Sequence, residues 1–277
     1  MLLAQRAPRP STTQPSQRGL FFVAAGLLIA GETVFWTVLA AVQSNSGLAA
    51  LDVPVHDGIV ASRTPLATVI LTAVTTVTSP LWMTVIGCAL GLVWAVWKRE
   101  IWRPALLIGA MAATFAVSTL IKHDVGRGRP AARDFMLGPD DALSFPSGHT
   151  FGAGVFLFVL CYLLVAARCA AASTEASTQP DQPSDTRPGN RPTSVLAFAA
   201  AAAGTLVVGY SRLYLGYHWL TDVLASMGLM LAVTGIVILA DGLRTARVSR
   251  PAAEADLVAA GPSEPDAHRL GDHHRGG

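Results

Sequence analysis

Apolar residues gather in six long runs separated by short polar stretches: 20–42, 81–97, 104–121, 151–167, 195–210 and 220–240. Each comes close to the ~20 residues that an α-helix needs to cross the hydrocarbon core of a bilayer. A seventh apolar stretch, 65–78, has only about 14 residues and is too short to cross. It ends at Ser79-Pro80, a helix cap followed by a first-turn proline. It therefore either lies at the interface or extends the second span through a kink. The pattern predicts an all-α protein, an integral-membrane bundle of six transmembrane helices.

The polar segments complete the plan. Residues 1–19 are rich in Pro, Ser and Thr and are expected to form a disordered cytoplasmic tail, followed by a membrane domain over 20–241. Within it, 172–193 reads as a disordered linker, because it holds too little apolar surface to fold alone. Residues 242–277 read as a second tail. The first apolar run is too long for the core of a signal peptide and has no convincing small-residue cleavage site, so it is kept as a span.

Composition agrees with this plan: 52% of residues are hydrophobic and only 14% are charged, against about 25% charged in soluble domains. A net charge of +2 gives no reason to expect a nucleic-acid partner. Cys88, Cys161 and Cys169 show no metal-ligand spacing and read as small core residues. In a six-span topology the N-terminal tail, the 98–103 turn, the 167–193 linker and the C-terminal tail fall on one side, and each carries three or more basic residues. By the positive-inside rule that side is cytoplasmic. Lys122–Arg133 and the turn around Arg212 place cations on the other side, against this trend, and need a separate reason.

Three segments on that outer side hold candidate chemistry. In Lys122-His-Asp-Val-Gly-Arg127-Gly-Arg129-Pro130 the cations either snorkel toward lipid headgroups or bind an anion. In Ser144-Phe-Pro-Ser147-Gly148-His149 a helix begins; its first N–H groups point outward, and Gly148 leaves room for a phosphate, though a plain helix cap with an interfacial His has the same sequence. In Ser211-Arg212-Leu-Tyr-Leu-Gly-Tyr-His218-Trp-Leu-Thr-Asp222 a helix beginning at His218 would place Asp222 on the same face, where it can fix the imidazole tautomer. A structural His–Asp pair is the plain alternative, but a carboxylate inside a span is costly unless it faces a polar interior.

Taken in this order, K-x6-R-P, P-S-G-H and S-R-x5-H-x3-D resemble the signature of the type 2 phosphatidate phosphatases, the integral-membrane lipid phosphate phosphatases. All seven polar signature positions match, and the resemblance covers about 20–241. It implies that Lys122, Arg129 and Arg212 hold phosphoryl oxygens, with the backbone N–H groups of Ser147 and Gly148. It further implies that His218 attacks phosphorus to form a phosphohistidine, that Asp222 orients it, and that His149 protonates the leaving oxygen and then activates water. Neither metal nor cofactor is expected, because the three cations supply the charge a metal would bring, and no HExxH pair or carboxylate cluster is present. Arg127 is either a further phosphate ligand or a snorkelling cation, and Glu32, in mid-span, is either functional or a hydrogen-bonded structural acid.

The implied partner is a membrane lipid phosphate in the bilayer. A polyprenyl diphosphate, the cell-wall carrier, is ranked first because the site faces outward; phosphatidate and phosphatidylglycerophosphate are the alternatives. Soluble relatives with this signature, acid phosphatases and haloperoxidases, lack long lipid-facing spans. A non-catalytic transport or lipid-binding protein of the same fold is the rival from another class.

Overall fold

The computed structural model describes residues 17–178 and 191–259, and the described residues form α-helices joined by short 3-10 turns and loops. In chain order the helices are α1 (Gln17–Ser44), α2 (Asp52–Ala61), α3 (Pro65–Val77), α4 (Pro80–Lys98), α5 (Trp102–Val125), α6 (Gly148–Thr178), α7 (Arg191–Tyr214) and α8 (Leu220–Ala259). Six of them, α1 and α4 to α8, are long and apolar enough to cross a membrane. These contain the six runs expected from the sequence, with extensions of a few residues in α1, α4, α5 and α7 and longer ones in α6 and α8. Phe22, Leu81, Trp97, Phe115, Leu120 and Leu196 lie exposed on their outer faces, as lipid-facing side chains do.

The short apolar stretch is a separate helix. Thr64 caps α3 by accepting from Ala67 N–H, Ser79 caps α4 by accepting from Trp82 N–H, and Pro80 begins the new helix. The 13 residues of α3 span ~20 Å at 1.5 Å per residue, well short of the hydrocarbon thickness. Both ends of α3 are tied to the last turn of α7. The Tyr214 hydroxyl donates to Thr64 O at 2.9 Å, and the Arg212 guanidinium donates to Thr75 Oγ1 at 2.7 Å. The helix is therefore held against the end of α7.

α6 and α8 run beyond their expected ends. Residues 172–178 and 242–259, read from sequence as linker and tail, are helical, because they extend helices that a packed span has already nucleated. The remaining parts of the tails and linker lie outside the described residues. Cys161 is buried as expected, whereas Cys88 is exposed on α4 and is not a core residue.

α6 packs against α4, α5, α7 and α8 and carries the centre of the core, with Phe151, Val155, Val159 and Leu163 buried. α1 lies along the other side of α8, where small residues let the two backbones meet. A Cβ on Gly31 would stand 2.5 Å from Gly228 O, and one on Gly228 would stand 2.8 Å from Gly31 O. We expect Gly31→Ala and Gly228→Ala each to lower stability by ~1–3 kcal/mol through overpacking. Gly26→Ala, which meets nothing within 4 Å, should be neutral. Thermal unfolding in a single detergent, followed by loss of the monodisperse gel-filtration peak, checks the contrast.

Candidate active site

Three chain segments converge near the end of α7 that holds α3. α5 stops because Gly126 takes the left-handed conformation, φ 62°, and its N–H closes on Lys122 O at 3.0 Å. The chain then doubles back, and 127–129 pairs with the segment that leads into α6. Ser144 N–H donates to Arg127 O at 2.9 Å, and Ser144 Oγ donates to Gly128 O at 3.0 Å. Lys122 Nζ donates to Leu143 O at 2.5 Å and Arg129 Nε to Ala142 O at 2.6 Å. The first two motifs of the sequence are thus sewn together through their backbones.

The third motif is shaped by the end of α7. Gly216, at φ 88°, lets Tyr217 N–H reach back to Arg212 O at 3.0 Å and reverses the chain before α8. His218 falls in this turn and is not the first residue of a helix, as the spacing suggested. Its pairing with Asp222 arises differently. Asp222, in the first turn of α8, folds back so that Oδ2 accepts from Trp219 N–H at 2.9 Å and from His218 Nδ1 at 3.2 Å. This is the reach of a capping-box acid, extended by one residue to an imidazole. With Nδ1–H donating to Asp222, Nε2 keeps its lone pair.

Arg129 stands against that lone pair. Its Nη1 is 3.3 Å from His218 Nε2 and 2.8 Å from Tyr217 O, and its Nη2 is 2.9 Å from an Asp140 carboxylate oxygen. Burial lowers the pKa of Arg129, and Asp140 and Asp222 counter that effect; a guanidinium remains charged at any neutral pH. Arg212 is buried, lies 4.5 Å over the Tyr217 ring and donates through Nη1 to Thr75. Its Nε has no partner among the described residues, so one donor is left for an anion in the cluster. His218 is itself buried, and burial together with Arg212, Arg129 and Lys122 holds its pKa well below the ordinary histidine value. It is a neutral imidazole at physiological pH. His149, in the first turn of α6, lies within electrostatic reach of Arg212, His218, Arg129 and Lys122.

The structure therefore brings His149, His218, Asp222, Lys122, Arg129 and Arg212 together, with Gly148 at the start of α6 among them. Ser147 departs from expectation. Its N–H donates to Asp222 O at 3.3 Å and its hydroxyl pairs with Thr150 Oγ1 at 3.0 Å, because it ties α6 to α8. α6 begins at Gly148, where the helix leaves its first N–H groups without intrahelical acceptors. Arg127 also departs from expectation. It does not snorkel and does not face the cluster. Nη1 lies 2.7 Å from Asp222 Oδ1 and 2.7 Å from Thr221 Oγ1, and Nη2 lies 2.6 Å from Asp52 Oδ2. Two buried carboxylates draw the guanidinium behind Asp222.

Asp52 and Thr75 are contacts that no motif marks. Asp52 is one acid in a polar segment and Thr75 one of many threonines in an apolar helix, and only the tertiary arrangement brings them near the site. Glu32 lies elsewhere, accepts from Trp36 Nε1 at 2.8 Å and lines a cavity of about 390 Å³ between α1, α5 and α8. Among the described residues no group of three or more His, Cys, Asp or Glu has the arrangement of a metal site.

The same fold occurs among known proteins. One solved structure, described as the first transmembrane PAP2 type phosphatidylglycerolphosphate phosphatase from Bacillus subtilis, superposes with a TM-score of 0.62 at 21% identity. The match covers 76% of this chain and 96% of that one, and it shows the shared fold. The chain is also 25% identical over 205 residues to phosphatidylglycerophosphatase B of Bacillus subtilis (strain 168), covering 72% of this chain and 88% of the relative. The PAP2 superfamily profile matches residues 103–245, from the start of α5 into α8. These residues contain all three motifs and every side chain of the cationic cluster, and the chain accordingly belongs to the PAP2 superfamily as a multi-pass membrane phosphatase, a phosphoric ester hydrolase.

Proposed function

We propose that the protein removes phosphate from a membrane lipid through a phosphohistidine at His218. The observation that carries this reading is the pair of contacts on one imidazole: Asp222 on Nδ1 at 3.2 Å and the Arg129 guanidinium 3.3 Å from Nε2. A phosphoryl group held by Arg129 lies beside the lone pair that attacks it, so binding and alignment are one event. In the first step Nε2 bonds to phosphorus and the P–O bond to the lipid breaks, while His149 gives its proton to the departing oxygen. In the second step His149 takes a proton from water, the resulting hydroxide bonds to phosphorus, and the N–P bond breaks to restore His218. Lys122, Arg129, Arg212 and the N–H groups from Gly148 onward stabilise the charge on the equatorial oxygens.

The named activity of the Bacillus relative places phosphatidylglycerophosphate first among candidate substrates. A polyprenyl diphosphate is the second reading, favoured by an outward-facing site, and phosphatidate is the third. The site lies at the ends of α5, α6, α7 and α8, near headgroup depth, so a lipid reaches it with its chains still in the bilayer. A soluble ester lacks the ~0.8 kcal/mol that each buried CH₂ contributes. The basic flanks of the opposite end support a cytoplasmic position for that end and an outward-facing site.

We expect His218→Ala to be inactive and to trap no phosphoenzyme from ³²P-labelled lipid phosphate, and His149→Ala to lose roughly 10²–10⁴-fold in kcat. Full activity in His218→Ala overturns the mechanism. Across phosphatidylglycerophosphate, phosphatidate, a polyprenyl diphosphate and a short-chain soluble analogue in matched detergent, kcat/KM should be highest for one of the long-chain lipids. Equal values for the soluble analogue would remove the lipid reading. Ala131→Cys and Ser177→Cys, in a chain with the native cysteines replaced, should react with an impermeant maleimide from opposite sides of intact cells or inverted vesicles; reaction from one side refutes six crossings.

A further inference from the structure

We propose that Asp52 and Arg127 form a support behind Asp222 that aims His218 and sets its basicity. The inference rests on the phosphohistidine reading above and adds to it two residues outside the three catalytic positions. Asp52 also lies outside the 103–245 segment that carries the family match.

Asp222 is fully buried and divides its two oxygens. Oδ2 takes His218 and Trp219, and Oδ1 takes Arg127 Nη1 at 2.7 Å. With both oxygens held, the carboxylate plane is fixed, and so is the ring it orients. Arg127 is fixed in turn, because Nη2 bonds Asp52 Oδ2 at 2.6 Å and its Cζ lies 5.7 Å from the centre of the Trp219 ring. Asp52 is 3% exposed and also accepts from Thr221 N–H at 2.9 Å and Thr221 Oγ1 at 2.6 Å, so it caps the first turn of α8. The result is a closed ring of Asp52, Arg127, Thr221 and Asp222 beneath the nucleophile. A planar guanidinium is suited to bridging two carboxylates in this way, and lysine is not.

The charges alternate: Asp222 is negative, Arg127 positive and Asp52 negative. From the His218 side the ring has a net charge of −1. Removing Arg127 makes it −2, and removing Asp52 makes it 0. The other charged or titratable groups that face His218 are Lys122 from α5, His149 from α6, Arg212 from α7, and Arg129 and Tyr217 from the loops, with Asp140 paired to Arg129. None of these is altered by substitution in the ring. The two deletions should therefore move the basicity of His218 in opposite directions.

The experiment compares Asp52→Asn, Arg127→Lys and Arg127→Ala in the full chain, in detergent, with phosphatidylglycerophosphate or the best lipid of the panel. Asp52→Asn should lower kcat about 10–100-fold, the scale of losing a group that orients a histidine. Its KM should change less than threefold, and its affinity for vanadate, which reports the untouched cations, should be unaltered. A more weakly basic His218 is protonated only at lower pH, so the acid limb of kcat/KM moves down. In Arg127→Ala the same limb moves up, and Arg127→Lys, which keeps the charge but loses the fork, lowers kcat with little movement. Substrate ionisation is common to all variants and cancels in the comparison. The double variant Asp52→Asn/Arg127→Ala should be no slower than Arg127→Ala, since both break one unit. If Arg127→Ala does not fold, Asp52→Asn and Arg127→Lys carry the test.

An unmoved acid limb in Asp52→Asn overturns the proposal, as does a raised KM with kcat intact, which would make Arg127 a substrate ligand. In either case an inactive His218→Ala leaves the phosphohistidine reading standing. Activity in His218→Ala would overturn that reading and this inference together.

Discussion

Asp222 is a carboxylate buried among membrane-spanning helices, and the site is built around the cost of keeping a charge there. An unpaired buried charge costs several kcal/mol, more than a single neutral hydrogen bond returns. Here the charge meets Arg127, His218 and the N–H of Trp219 at once. Arg127 comes from the turn after α5, and His218 and Trp219 come together from the turn between α7 and α8. Satisfying one carboxylate of α8 therefore locks these two turns in register. The cost of burial is what makes the geometry specific.

The same logic explains how cations collect at one end of the bundle. Lys122, Arg129 and Arg212 are not left to lipid headgroups. Backbone carbonyls of 142–144 and Tyr217 hold the first two, and Thr75 and the Tyr217 ring hold the third. Neutral carbonyls and hydroxyls position these cations while largely sparing their charge, and such a field is what a transition state with charged equatorial oxygens requires. Asp140, on Arg129, is the carboxylate exception.

Chemistry and support come from different parts of the chain. Residues 103–245 provide all the groups in the cluster, while the first third provides what braces them: α1 on α8 through glycine contacts, Asp52 behind Asp222, Thr75 under Arg212. Arg63 belongs to the same bracing. Its Nε donates to Tyr214 O at 2.8 Å and its Nη2 to Asp134 O at 2.9 Å, joining the end of α7 to the loop before α6. His56 adds a contact to Asp134 at 3.3 Å. Three spans that end at one face need such ties, because apolar packing between helices does not fix their ends relative to one another.

The six spans were legible because the bilayer imposes a length of about 20 apolar residues that composition alone reveals. The candidate site residues were legible because their residue types recur at spacings set by local turns, as in P-S-G-H and S-R-x5-H-x3-D. What the sequence left open, it left open for a physical reason. Whether 65–78 continued the second span turned on the cap at Ser79, which the chain shows, and on the ties from Tyr214 and Arg212, which it does not. Arg127 lies within the first motif beside a true member of the cluster, and its side chain could have gone either way. Its direction was decided by Asp52, 75 residues earlier, in a segment with no pattern of its own. The sequence by itself determined the spans and the candidate site residues, because membrane thickness and local turn chemistry act over short stretches of chain. Tertiary structure alone decided which charge pairs with which, because the cost of burying a charge is settled only when distant segments meet.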